Sequence, residues 1–210
     1  MPPGPGRITR VGTMRTTPDL MPALVTPFGP AGDLDLPAHH HNLSLLWDRG
    51  VRGFLIGGSN GEGPYLEAGE RGALVEAARA EVPDAFVLCG VVAQSVRQAR
   101  EQAREAASAG ADAVLLLSPT TLIRGNHDAV GRFFRTVAAK TSVPVVIYSM
   151  PRVTAYEIPE DLVLAAAGVE GIVGIKDSGG DADRILRLLP DLPPGFSLFV
   201  GPSAILGITH

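Results

Sequence analysis

The stretch Val169-Glu-Gly-Ile-Val-Gly-Ile-Lys-Asp-Ser-Gly-Gly180 reads as a short apolar strand that delivers one lysine and then ends at a glycine pair. Among the 18 basic residues of the chain, only Lys140 and Lys176 are lysines. Lys140 closes a helical pattern, where a cation suits the carbonyl end of the helix dipole. Lys176 instead stands where a parallel strand would meet its loop, so its position calls for another explanation.

A lysine at such a strand end suits covalent chemistry. Partial desolvation favours the uncharged amine, and an uncharged amine attacks ketones to form Schiff bases. The alternative is a structural lysine that extends its ammonium to solvent or pairs with the adjacent Asp177. Because burial cannot be read from the sequence, both interpretations of Lys176 stay open at this point.

The pattern around Lys176 recurs along the chain from Ala23 onward. A short apolar run is followed by Gly, Pro, Ser or Asn and then by an amphipathic helical stretch, about every 30 residues, the length of a strand-plus-helix unit. The runs are apolar on both faces, as in a parallel sheet covered by helices. They lie at residues 23–28, 53–58, 85–91, 113–119, 143–150, 171–177 and 196–201.

Seven consecutive units predict an α/β protein, either a TIM-type (β/α)8 barrel or an open doubly wound sheet. Even spacing and polar residues at the ends of several runs favour the barrel, which collects its chemistry at that edge. These residues are Thr26, Ser59, Asn60, Ser118, Tyr148, Lys176 and Ser203. On this count the chain, which ends at Gly207-Ile-Thr-His210, lacks the last strand and the C-terminal helices.

Composition narrows the class of function. The net charge of −4 argues against a nucleic-acid or anionic-membrane surface. The single cysteine, Cys89, excludes an internal disulfide, and no Cys/His spacing indicates a metal site. No apolar run reaches the roughly 18 residues of a membrane span. We therefore expect a cytoplasmic protein. For domain organisation, we expect a disordered leader at 1–22 and one barrel domain at 23–210. Organelle targeting by the leader is a weaker alternative to the cytoplasmic location.

Two further motifs stand at the ends of predicted strands. In Gly57-Gly-Ser-Asn-Gly-Glu-Gly63, the backbone of Gly58 and the donors of Ser59 and Asn60 suit a carboxylate, although an ordinary glycine-rich turn is the alternative. In Tyr148-Ser-Met-Pro-Arg152, the phenol suits a proton relay to a lysine on the next strand. The alternative for Tyr148 is a core tyrosine whose hydroxyl reaches the rim of the sheet. Arg152 either clamps a second carboxylate of the substrate or is a solvated loop arginine.

The run His39-His40-His41 invites a metal interpretation. Adjacent helical positions point in different directions, so three consecutive histidines do not share one ion easily. We therefore predict a solvent-exposed helix face and no metal site.

Taken together, the motifs resemble the dihydrodipicolinate synthase / N-acetylneuraminate lyase family of pyruvate-dependent class I aldolases. The resemblance includes Ala23-Leu-Val-Thr-Pro-Phe28, the Gly-Ser-Asn-Gly-Glu and Tyr-Ser-Met-Pro motifs, and Gly174-Ile-Lys-Asp-Ser-Gly-Gly180. It implies that Lys176 forms the Schiff base, that Tyr148 relays protons, and that Ser59 with Asn60 holds the carboxylate of a 2-oxo acid. Gly58, Ser178 and Arg152 are expected to complete the substrate site. No metal or organic cofactor is implied, and a homodimer or homotetramer is expected.

Within that family, the motifs look most like 4-hydroxy-2-oxoglutarate aldolases, which implies retro-aldol cleavage to pyruvate and glyoxylate. Dihydrodipicolinate synthases more often carry a Thr-Thr pair in the first motif. The alternatives are a synthase-like condensation or another 2-oxo acid aldolase or dehydratase. An alternative of another class is a truncated, inactive homologue that serves as a binding or assembly subunit.

Two departures from the family pattern bear on activity. The family usually places a tyrosine after strand four, whereas this chain has Ser118-Pro-Thr-Thr-Leu-Ile-Arg124, where Thr121 is a much weaker proton donor. A barrel without its last unit would also leave the backbone groups of its edge strands unpaired and apolar surface exposed to solvent. We therefore expect marginal stability unless an oligomer covers the opening.

Overall fold

The computed structural model describes residues 17–208, and the side chains of residues up to 205. It is an α/β structure built on one six-stranded parallel sheet. The strands are β1 (Gly53–Ile56), β2 (Phe86–Val91), β3 (Ala113–Leu117), β4 (Val145–Ser149), β5 (Ile172–Asp177) and β6 (Ser197–Val200). The helices are α1 (Leu36–Asp48), α2 (Glu70–Glu81), α3 (Val96–Ala109), α4 (His127–Ala138), α5 (Pro151–Thr154), α6 (Glu160–Ala167) and α7 (Ala182–Leu188). Short 3-10 turns occupy Gly63–Tyr65, Leu189–Asp191 and Ser203–Ile208.

Strand order follows chain order from β1 to β6, so the sheet has no switch point. Alternate residues of each strand pack on opposite faces. On one face, Phe54 and Val87 join the large core that also contains helix residues such as Leu74 and Phe134. On the other face, Leu55 and its neighbours form a smaller core whose buried members all come from strands. The helices therefore cover one side of the sheet.

The sheet is curled. Ser59, just after β1, places its hydroxyl 3.2 Å from the sulfur of Met150, just after β4. Three strand spacings in a flat sheet would separate these positions by roughly 14 Å. The face without helices is therefore concave, and side chains from distant strands meet there.

The α/β class and the last six predicted strands are confirmed, but the first predicted strand at 23–28 is wrong. Ala23 makes only an isolated parallel bridge to Leu55. Pro27 offers no backbone donor to continue a ladder, and the hydroxyl of Thr26 turns to the carbonyl of Gly61 (2.6 Å). This segment is therefore a short edge contact of the sheet.

The predicted leader lies largely outside the described residues, since its positions 1–16 are not among them. In its described part, Thr17 is buried and the carbonyl of Pro22 accepts a hydrogen bond from the Leu55 N–H (3.0 Å). The domain boundary at residue 22 stays a prediction.

Helix α1 differs from expectation at its histidines. His39 is only 1% exposed, and its Nε2 lies 3.2 Å from the carbonyl oxygen of Leu74. His40 instead reaches Glu81, and His41 is exposed. The predicted solvent-exposed face is therefore wrong for His39, because α2 packs over that side of α1. Within residues 17–208, no helix combines the length and apolar character that crossing a bilayer requires.

Candidate active site

The centre of the candidate site is a lysine over a tyrosine on adjacent strands. Tyr148 of β4 stands opposite Lys176 of β5 in the parallel register. The Lys176 Nζ lies 4.8 Å from the centre of the Tyr148 ring. Tyr148 is 5% exposed and Lys176 is half-buried. Both side chains lie on the concave face, since Tyr148 belongs to the smaller core.

The predicted alternative that Lys176 pairs with Asp177 is wrong. Consecutive strand residues point to opposite faces, so Asp177 lies on the helix side. There its Oδ2 accepts a hydrogen bond from Arg184 Nε (3.0 Å), and its Oδ1 accepts one from the Gly179 N–H (2.8 Å). Arg184 also donates to the carbonyl of Ile158 (2.5 Å). This buried pair holds the turn that follows Lys176.

A thioether joins the predicted polar residues into one cluster. The Tyr148 hydroxyl donates to Met150 Sδ (3.0 Å), and the Ser59 hydroxyl donates to the same sulfur (3.2 Å). The Ser178 hydroxyl lies 3.5 Å from the Tyr148 oxygen. The fold thus brings Lys176, Tyr148, Ser178 and Ser59 together. Sequence reasoning missed Met150, although it lies inside the Tyr-Ser-Met-Pro motif.

The loop after β1 is held by close backbone packing. Gly57 has a φ of +62°, and a Cβ added at Gly63 or Gly90 would lie 1.9 or 2.1 Å from the Gly57 carbonyl oxygen. Arg71, which is 2% exposed, donates to the carbonyls of Gly90 (2.8 Å) and Gly63 (2.9 Å). Arg71 was also missed, because its partners are backbone carbonyls, which no side-chain motif marks.

The tip of this loop presents donors. Gly58 is buried in the turn, whereas Ser59 and Asn60 are exposed. Within the described part of the chain, the backbone N–H groups of Ser59 and Asn60 have no hydrogen-bond partner. Two free N–H groups beside a hydroxyl and an amide form a surface suited to an anion.

Arg152 and Thr121 make no hydrogen bond to this cluster within the described residues. Arg152 is exposed in α5 and makes no polar contact with any described residue. The Thr121 hydroxyl donates to Gln94 Oε1 (3.0 Å), and Gln94 also accepts from the Thr120 N–H (3.0 Å). Thr121 therefore ties two loops together. Within residues 17–208, no group of three His, Cys, Asp or Glu side chains could hold a metal ion.

These features define a class: an α/β protein with a sequential, curled parallel sheet and a lysine–tyrosine pair at the carboxyl edge of its concave face. A family comparison gives the assignment. Residues 17–207 match the model of the dihydrodipicolinate synthetase family, and the chain belongs to that family.

Individual relatives agree with this assignment. The chain is 34% identical over 186 residues to a 4-hydroxy-tetrahydrodipicolinate synthase of Nitrosospira multiformis, covering 87% of this chain and 61% of the relative. It is 29% identical over 185 residues to the Bacillus subtilis protein of that name, covering 87% and 63%. The chain thus spans about three fifths of the length of the curated relatives that it matches.

Solved structures are similar as well. The dihydrodipicolinate synthase of Bacillus anthracis superposes with a TM-score of 0.83 at 26% identity, covering 89% of this chain and 65% of that chain. A dihydrodipicolinate synthase family protein of Coccidioides immitis gives 0.81 at 33% identity, covering 89% and 61%.

Proposed function

We propose that this protein is a Schiff-base-forming carbon–carbon lyase that acts on a 2-oxo acid. One observation carries the proposal: the Lys176 amine lies over the Tyr148 ring, 4.8 Å from its centre, on the concave face. A half-buried amine is a suitable nucleophile toward a ketone, and a neighbouring phenol is a suitable proton carrier. The six strands are proposed to form the larger part of a TIM-type barrel, which their sequential order supports.

In the proposed reaction, the Lys176 amine adds to the C2 carbonyl and water leaves, giving a protonated imine. A base removes the proton of the C4 hydroxyl, and the C3–C4 bond breaks. Its electron pair forms the enamine, and the C4 fragment leaves as an aldehyde. The enamine then takes up a proton at C3, and water hydrolyses the imine to release pyruvate and the free amine.

The neighbouring residues have distinct proposed roles. Tyr148 carries protons during imine formation and cleavage, and the Ser178 hydroxyl, 3.5 Å away, extends this path. The loop donors of Ser59 and Asn60 hold the substrate carboxylate, which positions the reacting carbon before chemistry. Carboxylate binding requires Ser59 to exchange its Met150 sulfur partner for the stronger acceptor. Covalent catalysis by Lys176 requires no metal or organic cofactor.

Two reactions fit this site. The Ser59–Asn60 pair in place of two threonines favours cleavage of 4-hydroxy-2-oxoglutarate to pyruvate and glyoxylate. The names of the relatives favour a synthase-like condensation instead. The predicted homodimer or homotetramer and the cytoplasmic location stay predictions.

Borohydride reduction in the presence of pyruvate tests the proposal. We expect one reduced pyruvate per chain, located by peptide mapping on the peptide that contains Lys176. Lys176→Ala should lose the adduct, and Lys140→Ala, which removes the other lysine of the chain, should keep it. Tyr148→Phe should slow trapping while preserving the packed ring.

Product analysis then separates the two reactions. Release of glyoxylate from 4-hydroxy-2-oxoglutarate supports the aldolase, and formation of 4-hydroxy-tetrahydrodipicolinate supports the synthase. Absence of any adduct from protein that shows a cooperative melting transition would refute the Schiff-base proposal and favour an inactive homologue.

A further inference from the structure

A second candidate site lies on the helix side of the sheet, away from Lys176 and Tyr148. It is a cleft of about 490 Å³ between α3 and the turn that follows α4. The lining residues are Arg97, Arg100, Glu101, Arg104, Lys140, Thr141 and Ser142. These seven residues form the basic cleft.

The basic cleft follows from the periodicity of α3. Arg97, Arg100 and Arg104 are separated by three and four positions, so they share one face of the helix. The buried face of the same helix consists of alanines, Ala99 and Ala103 among them. Small alanines allow α3 to pack closely on the sheet, and the long arginines are left in solvent, where all three are exposed.

The charge of the basic cleft is only partly offset by the residues that the structure describes. Four cations and one carboxylate give the lining a formal charge of +3, although the whole chain carries −4. The arginines that form ion pairs in the described part of the chain are Arg79, Arg184 and Arg187. Within residues 17–208, the four cations of the cleft have no carboxylate within 4.0 Å. The cleft therefore attracts a multivalent anion.

We propose that the basic cleft binds a small molecule with two or more phosphate groups. Guanidinium groups present paired N–H donors that match the oxygens of phosphate, and a lysine ammonium adds a point charge. The exposed Ser142 supplies a hydroxyl. The volume lies within the range of small-ligand sites. No aromatic residue is among the lining, so the binding energy comes from the phosphates and not from base stacking.

Calorimetric titration of the full chain with inorganic tripolyphosphate at low ionic strength tests this site. We expect one site per chain that weakens as salt is added, because exposed charges are screened. Arg100→Gln and Arg104→Gln should each weaken binding by about tenfold. Both side chains are exposed, so the fold should be retained, and circular dichroism verifies this. Arg49→Gln removes the same charge from an exposed position outside the cleft and should bind as the parent does.

Three outcomes would overturn the proposal. The first is the absence of binding to the folded parent chain. The second is an equal loss of affinity in Arg49→Gln, which would indicate diffuse attraction without a site. The third is equally tight binding of citrate, a multivalent carboxylate of similar size, which would refute the phosphate assignment. Pyruvate trapping at Lys176 is independent of all three.

Discussion

Replacing Arg184 by methionine tests the buried ion pair beside the candidate lysine. Arg184 and Asp177 are 3% and 1% exposed, and their Nε and Oδ2 atoms are 3.0 Å apart. Without the guanidinium, the buried Asp177 carboxylate keeps only the N–H of Gly179 as a hydrogen-bond donor in the described residues. Removing one member of a buried pair costs about 3–5 kcal/mol. We expect Arg184→Met to lower the free energy of unfolding by that amount.

The assay is urea unfolding followed by circular dichroism, with the midpoint and slope fitted for each variant. Arg187→Met is the matched control, because the Arg187 side chain is 56% exposed and pairs with Glu160 at 2.8 Å. An exposed pair adds little to stability, because solvent and salt screen its charges. Adding Asp177→Asn to Arg184→Met should recover part of the loss, since the uncompensated charge is removed. Equal costs for Arg184→Met and Arg187→Met would refute the reasoning.

Two further predictions concern the site loop and helix α1. Gly90→Ala should lower the free energy of unfolding by about 1–3 kcal/mol or more, measured by thermal melting, because the added Cβ would lie 2.1 Å from the Gly57 carbonyl oxygen. Burial lowers the pKa of His39 below its ordinary value of 6.5, so the unfolded chain binds a proton that the folded chain does not. The contribution of His39 to the free energy of unfolding should therefore be fully present above about pH 6.5 and be lost as the pH falls below it. His39→Leu should reduce this dependence of stability on pH, measured by denaturant titrations between pH 7 and 5.

Matched substitutions make these two predictions decisive. Gly168→Ala adds a Cβ whose nearest neighbour is 3.7 Å away, so it should be close to neutral. A melting temperature for Gly90→Ala as high as that of Gly168→Ala would contradict the packing argument. His41→Leu changes an exposed histidine and should leave the pH slope intact; an equal reduction by His41→Leu and His39→Leu would remove the assignment to the buried ring.

Local patterns were sufficient to predict most of the fold. Apolar runs predicted the six strands, and local capping explains two of the helix starts, because the side chains of Asn126 and Asp181 each cap the helix that follows. The run at 23–28 is also mostly apolar, yet it makes only two isolated bridges, Ala23 to Leu55 and Phe28 to Leu34, because a strand also needs a continuous neighbour and free backbone donors. The missing donor of Pro27 is visible in the sequence, but the lack of a continuous partner strand is not.

The candidate site was predictable only in part. Tyr148 and Lys176 end consecutive apolar runs, and neighbouring parallel strands bring such ends together, so their pairing follows from order along the chain. Their roles in chemistry stay predictions. Met150 was not foreseen, because a thioether between two hydroxyls has no sequence signature.

By itself, the sequence determined the α/β class, the positions of the six strands and the edge of the sheet at which the polar residues collect. These depend on side-chain periodicity and turn residues within a few positions of each other. Only the tertiary structure decided which polar atoms meet. Ser59 donates a hydrogen bond to Met150, 91 positions along the chain, because the sheet curls. Asp177 pairs with Arg184 and not with Lys176, because consecutive strand residues point to opposite faces of the sheet. Contacts of this kind depend on long-range packing, which no local pattern encodes.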